Sequence, residues 1–174
     1  MESPRILPTN TSHEENGPAM TEEEIIAYAG GLPGVVAVTA GEGDGSPEAA
    51  WGDTFFFHDP DGDSPRRMPF ATLVVKDYDG YDTASDLDRP GVFRLSIAVG
   101  RKAFEQLVGH PPAAHADRHT EYDYTATDRL LPHPAYAVQG WVCILNPGPD
   151  TASLARSLLA DAHSRAARGH RREA

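Results

Sequence analysis

Cysteine is nearly absent from this chain of 174 residues. A single one, Cys143, excludes an intramolecular disulfide and any paired-cysteine metal or redox site. It sits in the apolar run Trp141 to Leu145, where it reads as a small buried hydrophobe rather than a catalytic thiol. Lysine is scarce too, two against thirteen arginines, an imbalance we read as base composition rather than selection for bidentate contacts. No apolar run approaches the ~18 residues of a membrane span. No nucleophile elbow or phosphate loop occurs. Residues 1–19 are rich in Pro, Asn, Thr, Ser and Glu and lack the apolar core of a secretory signal. They read as a disordered leader, with Met20 as an alternative start and a cytoplasmic location expected.

What is present is acid. The net charge is −11, and it is uneven: −9 over residues 41–88, +3 over 89–174 and −5 over 1–40. Such a field favours solubility and repels phosphate backbones, so nucleic acid is a disfavoured partner. The length suits one domain that buries roughly 70% of its unfolded surface, over residues 20–168, followed by a basic tail at 169–174.

Thr21 to Glu24 form a capping box that opens a helix through Leu32, with Ile25, Ile26 and Ala29 on its apolar stripe and Gly30-Gly31 and Pro33-Gly34 ending it. β-branched and aromatic runs predict strands at 35–39, 51–58, 70–76 and 141–145. Between them, Phe93, Leu95, Ile97 and Val99 alternate with Arg94, Ser96 and Ala98, the period of a strand with one buried face. A short helix carries Phe104, Leu107 and Val108 and ends at Gly109. The last helix begins near Asp150 or Thr151, repeats Leu154, Leu158, Ala162 and Ala166, and is expected to stop at Gly169. Residues 110–135, rich in His and Pro, read as a long loop. Consecutive strands with short connections argue for an α+β fold, a mainly antiparallel sheet with the first and last helices packed on one face.

The candidate site starts from the 77–91 loop, whose Asp77, Asp79, Asp82, Asp86 and Asp88 put five carboxylates in twelve residues. That density wants compensation by water, arginine, a cation or a partner. The candidate ligand-binding residues are Asp77, Asp79 and Asp88 in the loop, Arg94 on the strand that follows, and His133, Tyr136 and Trp141 in the corner HPAYAVQGW. Arg94 wants a carboxylate partner, expected among Asp77, Asp79 and Asp88, or offers an anion-binding guanidinium at a pocket mouth. His133, held between two prolines, can move a proton near neutral pH. Metal chemistry is not supported. Asp59-Pro-Asp61-Gly-Asp63-Ser lacks the Gly and the Glu that a calcium loop needs at its sixth and twelfth positions, and reads as a hairpin connection. His115 and His119 share a face only if a helix forms after Pro111-Pro112. No metal and no cofactor are expected.

The segments GDTFFFHDPDGD, PFATLVVKDYDGYDTASDLDRPGVFRLSIAVG and LLPHPAYAVQGWVCILNP resemble an uncharacterised bacterial family, the domain of unknown function numbered 6194, across residues 20–168. More distantly, a final helix after the PHPxY and Trp-strand pattern is similar to the YjbR/MmcQ-like proteins. That likeness implies a CyaY-like α+β sandwich and a DNA-binding label, which the acidity opposes. Neither resemblance brings established catalytic residues.

Three functions are open. The first is a non-enzymatic module binding a small molecule or protein partner between the 77–91 loop and the 133–141 corner. The second is a biosynthetic enzyme pairing His133 with a loop aspartate. The third is weak nucleic-acid binding through Arg165, Arg168, Arg171 and Arg172 of the last helix. A monomer or small homo-oligomer is expected.

Overall fold

The structure, a computed structural model, describes residues 19–62 and 68–173, with the side chains of 171–173 left aside. The expected 1–19 leader, Ala19 apart, and Asp63 and Ser64 of the 59–64 calcium-like stretch lie outside these residues.

Helix α1 spans Glu22–Gly30. Thr21 caps it: its hydroxyl oxygen accepts the Glu24 amide at 3.1 Å and donates to the Glu24 carboxylate at 3.3 Å. Three glutamates in the first turn suit the positive end of the helix dipole. Strands β1 (Val35–Thr39), β2 (Thr54–His58), β3 (Ala71–Val74) and β4 (Arg94–Ala98) follow. After α2 (Arg101–Val108), whose chain reverses at left-handed Gly109, come β5 (Leu130–Pro132), β6 (Trp141–Leu145) and α3 (Ala152–Glu173).

The six strands form one sheet in the order β1-β2-β3-β4-β6-β5, antiparallel throughout. Because side chains alternate, the register sorts them into two faces. Phe56, Leu73, Leu95, Ile97, Val142 and Ile144 join Ile25 and Ala29 of α1, Phe104 of α2 and Ala155, Leu159 and Ala162 of α3 in the main core. The first and last helices thus share a face, as the pattern of strands between amphipathic helices predicts. The opposite face carries Phe55, Thr72, Ser96 and Cys143 in one cross-strand row and Val74, Arg94 and Leu145 in the next. A smaller cluster of Val74, Leu87, Leu131, Cys143 and Leu145 packs there under the 75–93 connection.

Several expectations need correction. β4 is buried on both faces, not one: Arg94 and Ser96 are both out of solvent, and the acidic loop folds back so that Asp82 and Ser85 meet Arg94. The 110–135 loop contains two 3-10 stretches, Pro112–Asp117 and His119–Glu121, and a sixth strand, β5. Three residues ending in proline carry too little pattern to be seen in sequence, and such a strand belongs at a sheet edge. Gly169 does not stop the last helix, which runs on to Glu173, so residues 169–173 continue α3.

Candidate functional site

The site is built on the sheet face away from the helices. Arg94 opens β4, pairs in register with Val74 and Leu145, and is only 1% exposed. Its guanidinium meets Asp82 end-on, Nη1 donating to Oδ1 at 3.1 Å and Nη2 to Oδ2 at 2.5 Å, while Nη1 also donates to Ser85 Oγ at 3.0 Å. Burial works against the charge on Arg94, but the hydrogen bonds and charge of Asp82 outweigh it, so its pKa is raised and the group stays cationic.

Asp82 reaches this position because the loop turns sharply before it. The Tyr81 amide bonds the Tyr78 carbonyl at 3.0 Å, and Gly80 sits at φ +73°, which the third position of a type II turn demands. A Tyr78–Asp82 bridge closes the turn. Further on, buried Leu87 anchors the loop in the small cluster, its amide held by Asp77 Oδ1 at 2.8 Å. Arg89 ties the loop to the carbonyls of Asp86, Ser85 and Thr125.

The second wall is the corner between β5 and β6. The His133 amide bonds the Trp141 carbonyl at 3.1 Å, and a 3-10 turn over Ala137–Gln139 ends at left-handed Gly140. Within this corner His133 is 1% exposed, and its Nδ1 accepts the amides of both Ala135 and Tyr136 at 3.0 Å. An acceptor Nδ1 places the proton of the neutral ring on Nε2. Burial, and then the nearby Arg94 charge, push the His133 pKa well below the ordinary histidine value. The ring is therefore neutral and its free nitrogen is a donor. No described residue bonds that Nε2.

Between these walls lies a cavity of about 350 Å³. Its lining includes Phe55, Tyr78, Tyr81, Tyr136 and Trp141, with Arg94, Asp82 and His133 as its ionisable floor. The rings are continuous: His133 to Tyr136 at 4.8 Å, Tyr136 to Trp141 at 6.3 Å, and Tyr136 to Tyr81 at 6.2 Å between centroids. Tyr81 and Tyr136 also share a hydroxyl–hydroxyl hydrogen bond. Burial first, then this bond, pushes the Tyr136 hydroxyl up to about 12. Tyr78 is fixed by donating to Asp53, a fully buried carboxylate that also accepts the Val75 amide at 2.8 Å. Burial raises the Asp53 pKa against those hydrogen bonds.

Family comparison assigns the fold a group without assigning it an activity. The model of the family of unknown function DUF6194 matches residues 20–174. The chain belongs to that family. No curated protein and no solved structure matches it.

In this DUF6194 chain, four of the residues singled out from sequence come together: Arg94, His133, Tyr136 and Trp141 all line the cavity. The three loop aspartates do not. Asp77 and Asp88 hold the loop's own backbone, Asp88 Oδ1 accepting the Asp77 amide at 3.1 Å, and Asp79 lies in a separate surface groove with Glu48 and Lys76. The carboxylate that meets Arg94 is Asp82 instead, because the turn at Gly80 aims position 82 inward and position 79 outward. Arg94 is correspondingly not an open anion-binding arginine, since Nη1 and Nη2 are both committed within the chain. Asp53, Phe55 and Thr72 were missed. Asp53 had one available signal, a carboxylate directly before a strand and next to a glycine, too common a pattern to stand out.

The histidine-rich segment does cluster, though not on an α-helix. His110 and His115 stack with centroids 5.5 Å apart, His119 lies 5.7 Å from His115, and Tyr122 and Tyr124 bond His110 and His115 through their hydroxyls. Among the described residues no group of His, Cys, Asp or Glu is arranged to hold a metal ion, and no helix is long and apolar enough to cross a membrane.

Proposed function

We propose that this protein is a small-molecule binding module whose ligand occupies the cavity between the 77–91 loop and the 133–141 corner. The observation that carries the reading is a part-open aromatic hollow whose floor is a buried ion pair and a neutral histidine with an unpartnered N–H. Buried polar groups are normally satisfied, and a donor left over against a cavity of this size is what a ligand would complete. The volume lies in the range of small-molecule sites. A second hollow of about 430 Å³, between α3 and β4 and lined by Ala162, Arg165 and Ala166, is more open.

The enzyme reading finds less support. A general base on His133 needs a lone pair facing the substrate, but its lone pair is spent on two amides and the outward nitrogen carries the proton. No described aspartate bonds that ring, and Asp82 is held by Arg94. A bacterial, cytoplasmic setting and the distant YjbR/MmcQ-like similarity fit a binding module equally well.

The test is a thermal-shift screen of small aromatic compounds on the protein and on Tyr136→Ala, since ligands of the native state raise its apparent stability by mass action. Compounds that stabilise the parent and not the variant support the reading. Compounds that stabilise both equally place binding elsewhere and contradict it.

A further inference from the structure

Two donors on the cavity wall have no partner among the described residues, and they describe the ligand. Charge is already settled inside the protein. Arg94 is neutralised by Asp82 through two hydrogen bonds, and among the described residues Asp82 is the one carboxylate lining the cavity. Among the described residues an anion would find no uncommitted cation there, and it would approach beside Asp77 and Asp79 in the most acidic part of the chain. A cation would find no uncommitted carboxylate among them. On the buried side chains of His133 and Trp141 what remains unpaired is donors, while Thr72 and Gln139 add groups that both donate and accept. His133 Nε2–H and the Trp141 indole N–H bond no described residue, and neither group can accept. Trp141 is 8% exposed and lines the cavity. Around these donors stand the rings of His133, Tyr136 and Trp141, 4.8 to 6.5 Å apart and tilted to one another by 40° to 75°, so that the wall presents both ring faces and ring edges.

We infer that the cavity takes an uncharged, planar aromatic molecule bearing a carbonyl-type acceptor, its ring against Tyr136 and Trp141 and its acceptor on His133 Nε2–H or the Trp141 N–H. This rests on the binding reading above and narrows it to a ligand class. A neutral acceptor satisfies the donors without disturbing the ion pair, and stacking on aromatic faces supplies shape and area.

Four probes on one bicyclic frame separate the terms: 1-indanone (neutral acceptor), indane (no acceptor), indane-1-carboxylate (anion) and 1-aminoindane as its ammonium (cation). Dissociation constants are read by protein-observed NMR on the full chain at neutral pH. The expected result is 1-indanone about tenfold tighter than each of the others, the value of one good neutral hydrogen bond. His133→Asn keeps an acceptor for the Ala135 and Tyr136 amides and removes Nε2–H, whereas Trp141→Phe keeps a ring and removes the other donor. At least one should abolish the preference for the ketone over indane. A carboxylate or ammonium that binds best, or a ketone no better than indane, overturns the ligand class while cavity resonances still shift. A ketone preference that survives both substitutions overturns it too. If none of the four probes shifts cavity resonances, both the class and the binding reading fall.

Discussion

Arg94 is out of water with Nη1 and Nη2 on Asp82 and Nη1 also on Ser85, while its Nε has no partner. Removing one member of such a pair leaves the other charge buried and uncompensated, which typically costs about 3–5 kcal/mol. Arg94→Met and Asp82→Leu should therefore each destabilise by that order in urea unfolding, and the double variant should recover much of the loss. Simple additivity of the two losses would show that the pair is not coupled. His115 gives a second test. It is 3% exposed, and its pKa is pushed down to about 4, first by burial and then by His110 and His119, with Glu121 opposing. The folded value lies below the unfolded ~6.5, so the unfolded state binds more protons between them. This contribution is present in full above pH ~6.5 and is lost as pH falls toward 4, up to about 3 kcal/mol. His133 adds in the same direction. Unfolding free energy measured from pH 7 to 4 should fall, and His115→Phe should flatten part of that slope; an unchanged slope would contradict the assignment.

Helix α3 is started by a residue that no local pattern connects to it. Asp128, at φ +52°, accepts the amides of Gly148, Asp150 and Thr151 and the Thr151 hydroxyl, at 2.6 to 3.1 Å. Burial opposes its ionisation, but those hydrogen bonds prevail and its pKa is lowered. Asp128→Ala should cost about 2 kcal/mol, the upper range for a lost cap. The same substitution should remove a stability component that the parent loses as pH drops below the ordinary aspartate range. Unfolding of both proteins at pH 7 and 3 checks it, equal losses at both values being the contrary result. Gly140 is the second such point. It lies at φ +84°, and a Cβ there would stand 3.1 Å from the backbone carbon of Gly100. Gly140→Ala should lower stability by about 1–3 kcal/mol and, by displacing Trp141, weaken cavity binding.

Elements were legible where the pattern was local. The capping box, the alternation of β4 and the four-residue recurrence of α3 each depend on neighbours within a few positions. The site was half legible for the same reason. His133, Tyr136 and Trp141 share one corner and could be read together, whereas the choice of Asp82 over Asp77, Asp79 or Asp88 depends on one turn at Gly80. Burial of β4 on both faces was hidden because alternation reports the polarity of Arg94 and Ser96, not the loop whose Asp82 and Ser85 meet Arg94. The three residues of β5 were too few to register.

Across the whole protein, the helices close one side of an antiparallel sheet and leave its other side to loops, and the cavity lies on that loop-covered side. The net charge of −11 bears on partners as well as on solubility. Duplex DNA should bind weakly and without sequence preference at ~150 mM salt, because the 41–88 segment repels phosphate and the arginines of α3 are few. Fluorescence anisotropy with labelled duplexes checks this, and tight, sequence-dependent binding would contradict it. The most direct measurement of the central claim is a crystallographic fragment screen. The account predicts aromatic fragments between Tyr136, Trp141 and Phe55, with an acceptor within ~3.2 Å of His133 Nε2 or the Trp141 indole nitrogen. Fragments that gather between α3 and β4 while this cavity stays empty would contradict it.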